Sequence, residues 1–501
     1  MAQSIGEVAA KRTKLSSSIA GACEDCLSAL HDDILVLILL RLGTIAEAVR
    51  TSILSRRWRR TWALLPELAF CSAPDNRHVL EVLAAPDAPA LRRILVVTRH
   101  DAPDSVGAWL PLAARRLSGD LKYHNSVEGR EEEEEGNGTI ALPCFGKATK
   151  VVLNLGYFAL GLPSAGTFTV LTDLFLERVR FRGTCELGEI VSSPRCPCLR
   201  KLSIRRAWGL ASLTVQSESL LQMYLSYVNG LQQLNIDAPV LNEFNLHNCF
   251  GLNQQKPIAN ISAPQLMSLL WRDVYDPSYV HLGNLGQQQR LSPSIIMVYG
   301  GHHHKRYNRE VQQLLKHFQV IQNVTIVLGY PQEDIGNFQY LMEDITYLPH
   351  VTILSLYVMN GRHAFGTGSF HVLRLCTGIR RLSVVLHTNR NLEAESTCPS
   401  GCICDQPTNW KIDTLLLNCL EEVEITNLKG AEYEFAFLER LLSWAGALKK
   451  LRITFDYSVS KSKAKELHQR LSCIPRPETQ MEYYMYRDMA SEVRALALAR
   501  R

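Results

Sequence analysis

Two hydrophobic periodicities divide the chain. Between about residues 25 and 68, Ile34, Leu35, Ile38 and Leu42 recur at helical spacing and define an apolar face. Thr44 and Glu47, three apart, form a capping-box pattern that opens a second helix through Ala48, Val49, Ser52 and Ile53. Ser55 is placed to cap a third helix, in which Trp58 and Trp62 share a side. Three short helices bury little area among themselves, so their apolar faces need a partner.

From Leu91 onward the pattern becomes Leu-x-x-Leu-x-Leu with aliphatic replacements. Triplets begin at Leu91, Leu171, Leu199, Leu220, Leu241, Ile321, Val351, Ile379 and Leu448. Such triplets arise by chance in leucine-rich sequence, so spacing decides. Gly209-Leu210, Gly230-Leu231 and Gly251-Leu252 recur every 21 residues, and Ile236-x-Ala238-Pro239-x-Leu241 returns 25 residues later as Ile261-x-Ala263-Pro264-x-Leu266. A period of about 20–29 residues with this pattern is the signature of leucine-rich repeats. One short strand per repeat then stacks into a parallel sheet over a continuous leucine core, and the alternate residues face outward on its concave side.

Two stretches interrupt the repeats. Ser118 to Gly138 holds Glu131–Glu135 and several glycines; five adjacent like charges repel, and residues 119–138 are expected to be a disordered acidic insertion. Gly300 to Arg306 reads as a polar loop, followed by a helix carrying Val311, Leu314, Leu315 and Phe318. The region from Cys398 to Tyr486 has its own character: Leu420–Ile425, a helical run Phe435–Leu448, and the alternating strand Leu451–Phe455.

Composition narrows the function. With 501 residues, 46% hydrophobic and 21% charged, the chain suits several globular domains rather than disorder. A net charge of +5 does not mark a dedicated nucleic-acid binder. The 14 cysteines mostly stand singly in apolar runs, which fits a reducing compartment. The first residues lack an apolar signal core, and Ile34–Leu40 is far shorter than the ~20 residues a bilayer requires. A protein of the cytoplasm and/or nucleus, off the membrane, is expected.

Residues 25–68 resemble a plant F-box. The resemblance is carried by Asp25, Leu27, Ser28 and Leu30, by Asp33-Ile34-Leu35 and Ile38-Leu39, and by the run Ala48-Val49-Arg50-Thr51-Ser52-Ile53-Leu54-Ser55-Arg56-Arg57-Trp58-Arg59-Arg60-x-Trp62. His31 departs from it, since the family usually has proline there. The segment Leu420 to Ile453 is similar to the FBD module that follows the repeats in many plant F-box proteins. The implied fold is α/β: a flexible tail (1–24), a small helical F-box (25–68), a leucine-rich-repeat solenoid (90–395) and a C-terminal α+β FBD-like region (398–486). The resemblance implies a substrate-recognition subunit of an SCF-type ubiquitin ligase, bound through a Skp-type adaptor to cullin and RING subunits. Leu27, Leu30, Ile34, Leu35, Ile38, Leu42, Val49, Ser52, Leu54 and Trp58 would be its adaptor-binding residues.

No phosphate-binding loop, His-Glu-x-x-His or Gly-x-Ser-x-Gly motif occurs, so no catalytic residue and no cofactor is expected. Cys398, Cys402 and Cys404 have the close spacing of zinc thiolates, but no neighbouring histidine supplies a fourth ligand; they are read as loop thiols, and no metal is expected. His302–His304 are read as a solvated loop. Arg50, Arg56, Arg57, Arg59 and Arg60 form a basic cluster near a partner rather than a nucleic-acid stripe. On the outward face of the repeats, Phe175, Arg205, Tyr224, His247, Arg272 and Tyr357 are the expected target contacts, since exposed aromatic and Arg side chains dominate interface energies. The readings left open are a repeat protein that binds outside a ligase, in the nucleus, and an enzyme without a recognisable motif or a metal-dependent module at Cys398–Cys404.

Overall fold

The computed structural model describes residues 30–495 apart from breaks, the longest being 127–137, 388–401 and 406–414. Every triplet named above enters or lies on a strand. Successive strands pair side by side, in parallel and in chain order, from Glu67–Cys71 to Gln480–Tyr486. They belong to one sheet of 20 strands among the described residues. The fold is mixed α/β, with leucine-rich repeats building the sheet.

Register explains the core. Leu174, Leu202, Met223, Phe244 and Leu269 are partners across five adjacent strands, and Leu176, Ile204, Leu225, Leu246 and Trp271 form the next rung. All ten are buried. Between residues 212 and 285 a second parallel sheet of four strands adds Leu213, Leu234, Ile236 and Ile261 to the same core. The recurrent glycines sit between the two sheets: Gly209 and Gly230 adopt φ of 78° and 88°. A Cβ on Gly209 would lie 2.0 Å from the Phe181 carbonyl oxygen, so glycine is required there.

The C-terminal region continues the sheet. Strands Glu422–Leu428, Lys450–Phe455 and Gln480–Tyr486 pair in parallel after Arg381–Leu386. Helix Glu432–Trp444 buries Phe435, Leu438, Leu441 and Leu442. Phe370, on helix Gly366–Leu375, packs against Phe437 at 4.9 Å and Trp444 at 4.7 Å between ring centroids.

Two expectations are corrected. Residues 117–126, assigned largely to the acidic insertion, are a strand of the sheet with Leu117, Leu121, Tyr123 and Asn125 buried. The glutamate run colours its neighbourhood in sequence, whereas the apolar alternation before it decides the structure; residues 127–137 lie outside the described set. His302–His304 are the first turn of helix His302–Lys316 rather than a loop, and His304 Nδ1 accepts from the Gly301 backbone N–H at 3.3 Å. Val311, Leu314 and Leu315 are buried on that helix as the pattern requires.

Leu202→Asp should unfold the neighbouring repeats, because a carboxylate would be buried without a partner at a cost of more than ~3 kcal/mol. Arg205→Ala, in the same strand but exposed, should shift stability by no more than ~0.5 kcal/mol. Urea melts of both variants check the assigned faces; equal loss in both would mean the strand is turned over.

A second expectation concerns pH. Glu434 is buried and accepts from the backbone N–H groups of Lys429, Gly430 and Ala431 at 3.1, 2.6 and 3.0 Å. Burial outweighs these donors and pushes its carboxyl from 4.5 up to about 7. The folded state then holds the proton more tightly than the unfolded chain, so stability falls as pH rises between those two values. Asp273, raised by burial from 3.8 to about 6, acts in the same direction. Thermal melts from pH 4.5 to about 7.5 should show this decline, and Glu434→Gln should flatten its upper part.

Candidate functional site

Two surfaces qualify. The first is at the N-terminus. Helix α1 (Asp32–Leu40) starts at His31, whose φ of −63° is the value a proline ring would impose. Arg57 ties the start of α1 to the helix at Trp58–Thr61: its Nε donates to Asp32 Oδ1 at 2.7 Å and its guanidinium also meets the Leu30 carbonyl. This arginine of the basic cluster therefore has an intramolecular role. Ser55 Oγ lies 3.4 Å from the Trp58 backbone N, as expected of a cap.

The helix is apolar on more than one side. Leu35 and Leu39 are 0% and 2% exposed, while Ile34 and Leu37, three apart, are 43% and 57% exposed. Leu42, Leu54 and Leu64 are also exposed. Leu30 and Ile38 are half-buried against the core. Two expected contacts are corrected: Leu35 and Trp58 are core residues and offer no docking surface. Leu37, with no counterpart in the expected set, stands out instead. Leu27, Val49, Ser52, Trp62 and the Thr44 capping position lie outside the described residues.

The second surface is the outward face of the repeats. In-register pairing sorts its residues into rows. Phe175, Ser203, Tyr224 and Asn245 form one row; Glu177, Arg205, Ser226, His247 and Arg272 form the next. The ammonium of Lys201 lies 5.6 Å from the Phe175 ring and 4.9 Å from that of Tyr224. Tyr224 donates its hydroxyl proton to Glu243 Oε2 at 2.8 Å, and burial with this carboxylate raises its pKa. Burial, then the Arg272 charge, holds His247 below the ordinary imidazole value, favouring its neutral form. Tyr357 does not join this group; the strands Arg290–Pro293 and Val320–Gly329 stand between.

A third row went unread in the sequence. Arg178, Arg206, Tyr227 and Asn248 each follow a residue of the second row and adopt φ of 50°, 51°, 54° and 48°. Left-handed backbone costs a non-glycine residue about 1–2 kcal/mol, so a repeated occurrence marks a feature of the repeat rather than an accident. Each interrupts the alternation without shifting the register, so two outward side chains stand in succession. The signal was available: Leu176, Ile204, Leu225 and Leu246 are each followed three positions later by a buried residue, Val179, Ala207, Val228 and Cys249. These left-handed positions crowd Arg178, Arg205, Arg206, Tyr227, His247 and Arg272 at one end of the rows, where the Tyr227 and His247 rings lie 5.0 Å apart. The Nε atoms of Arg178 and Arg272 are buried and have no hydrogen-bond partner among the described residues. Such a basic and aromatic patch is suited to a partner that brings acceptor oxygens and apolar surface.

Metal ligands also converge once. Among the described residues, His363, Cys402 and Cys404 place their ligand atoms within 4.8 Å of one another. His363 lies 39 residues before Cys402, too far for motif reading. Cys398 lies outside the described residues, and no helix described is long and apolar enough to cross a membrane.

Comparison with known proteins agrees with this architecture. The leucine-rich-repeat family model of FBD-associated F-box protein At5g56370 matches residues 106–284. An F-box/FBD/LRR-repeat protein of Arabidopsis thaliana, At4g03220, is 27% identical over 294 residues, covering 56% of each chain. F-box/LRR-repeat protein At4g15060 of the same plant is 28% identical over 45% of this chain and 56% of its own. These matches span little more than half the length of the relatives. FBD-associated F-box protein At5g22730, also from Arabidopsis thaliana, is 24% identical over 86% of this chain and 88% of its own. No solved structure matches significantly. The chain is thus a relative of the plant F-box/FBD/LRR-repeat proteins.

Proposed function

We propose that this protein is a non-catalytic, substrate-recognition subunit of an SCF-type ubiquitin ligase, working in the cytoplasm or nucleus. The observation that carries the reading is α1: a nine-residue helix with Leu35 and Leu39 in the core and Ile34 and Leu37 left in solvent. A helix that is apolar on both sides and covered on one requires a partner for the other. A Skp-type adaptor is the partner that the family resemblance supports, linking the chain to cullin and RING subunits. The repeats, wound as a solenoid, would hold the target on the outward rows. Catalysis is then proximity: target lysines gain effective concentration beside a ubiquitin-charged enzyme carried by the complex.

Ile34→Lys with Leu37→Lys should weaken adaptor binding by about 100-fold or more, since two apolar anchors of ~1.5–3 kcal/mol each are lost. Circular dichroism should remain unchanged, because neither side chain is in the core. Titration of purified adaptor against the full chain measures this. Undiminished binding by the double variant, or none by the wild type, would remove the ligase reading and leave a stand-alone repeat surface.

The target face has its own test. Arg206→Gly and Tyr227→Gly keep the left-handed backbone and remove only the side chain. Relief of strain and the entropy of glycine offset each other, so stability should change by no more than ~1 kcal/mol. Proteins captured by the full chain while ligase activity is blocked should nevertheless be lost. An unchanged captured set would place recognition elsewhere.

A further inference from the structure

We infer that His363, Cys402 and Cys404 form a zinc site. His363 follows strand His350–Met359, and the cysteines lie beyond strand Arg381–Leu386, at a 3-10 turn over Ile403–Asp405. Both strands run in parallel, so the two segments meet at the same end of the sheet. Cys402 Sγ and His363 Nδ1 are 3.4 Å apart. Around a tetrahedral zinc with bonds of about 2.3 Å to sulfur and 2.0–2.1 Å to nitrogen, that edge is about 3.6 Å. The spread of all three ligand atoms, within 4.8 Å, suits one ion. Two thiolates and an imidazole are a borderline-soft donor set that favours zinc over magnesium or calcium.

The surroundings hold the ligands in place. His363 and Cys404 are 4% and 2% exposed, and Cys402 is half-buried. The Tyr299 hydroxyl donates to the carbonyl of Ile403, the residue between the cysteines, at 3.4 Å. The Tyr330 ring lies nearly parallel to the His363 imidazole, with centroids 6.5 Å apart. Asn360 clamps the histidine turn: its carbonyl accepts from the His363 N–H at 2.7 Å, and its Nδ2 donates to the His363 carbonyl at 3.0 Å. The same Nδ2 lies 3.3 Å from the Tyr433 hydroxyl on the C-terminal helix. Buried ligands carried by braced turns meet the demand that such a site be preformed. Three protein ligands leave one tetrahedral position for water. The ion ties the 402–405 turn to the repeats just before the C-terminal strands begin. Its uptake releases the two thiol protons, so affinity falls as pH is lowered.

The test uses the full chain, purified, equilibrated with zinc and desalted. Elemental analysis should find about one zinc per chain. Replacement by cobalt should give a thiolate-to-metal charge-transfer band and tetrahedral d–d bands. Cys402→Ser, at the half-buried position where folding is least at risk, and His363→Ala should each weaken zinc by about 10-fold or more. His363→Cys should restore binding, which a thiol–imidazole hydrogen bond alone would not explain. Zinc at a small fraction of one per chain would overturn the assignment. So would unchanged affinity in both Cys402→Ser and His363→Ala, or a cobalt spectrum without the thiolate band. Adaptor binding plays no part in these readouts, so the zinc site stands or falls apart from the ligase reading.

Discussion

The parallel, one-to-one backbone ladder is the constraint on which the rest depends. Each strand hydrogen-bonds to the repeat before and the repeat after, so a residue's row follows from its offset within the repeat. Because strand side chains alternate, a slip of one position would turn Leu202 and Ile204 to solvent and Ser203 and Arg205 inward. The ladder of buried leucines prevents that slip. The outward rows are therefore fixed by the core, and their chemistry is free to vary without disturbing it.

What was legible in the sequence is what is local. The strands, the glycine turns and the helical run around Phe435 announce themselves within one repeat. Strand 117–126 is masked in the sequence because the charge downstream outweighs a short alternation. Its Gly119 in fact serves packing, since a Cβ there would lie 2.1 Å from the Arg92 carbonyl oxygen. The left-handed positions Arg178, Arg206 and Tyr227 escape the sequence because arginine and tyrosine stand where glycine or asparagine usually marks such backbone. Only the spacing of the apolar position that follows betrays them.

Non-local proximity was beyond reach. In a parallel sheet every strand ends at the same edge, so the residues after successive strands become neighbours whatever their separation in sequence. Tyr330, His363 and Cys402 follow three adjacent strands and meet for that reason. The length of chain between Leu386 and Cys402 hides the relation. Likewise the periodicity of α1 showed an apolar face, but only packing distinguishes Leu35, turned inward, from Leu37, turned out.

The two halves of the outward face differ in what they leave unsatisfied. In the C-terminal part, Arg381 pairs with Glu422 at 2.8 Å, Lys450 with Glu482 at 2.9 Å, and Arg452 with Glu424 and Glu482 at 3.4 and 3.3 Å. These charges answer one another across the strands, and a partner would have to break pairs to use them. In the repeats, Arg205 and Arg206 are exposed and make no ion pair among the described residues. A target that supplies carboxylates or other acceptors there gains hydrogen bonds the protein does not already make, whereas one docked on the C-terminal ladder only exchanges them. On the proposed reading, target choice therefore resides in the rows between Phe175 and Arg272, and the C-terminal strands close the sheet on a self-paired face.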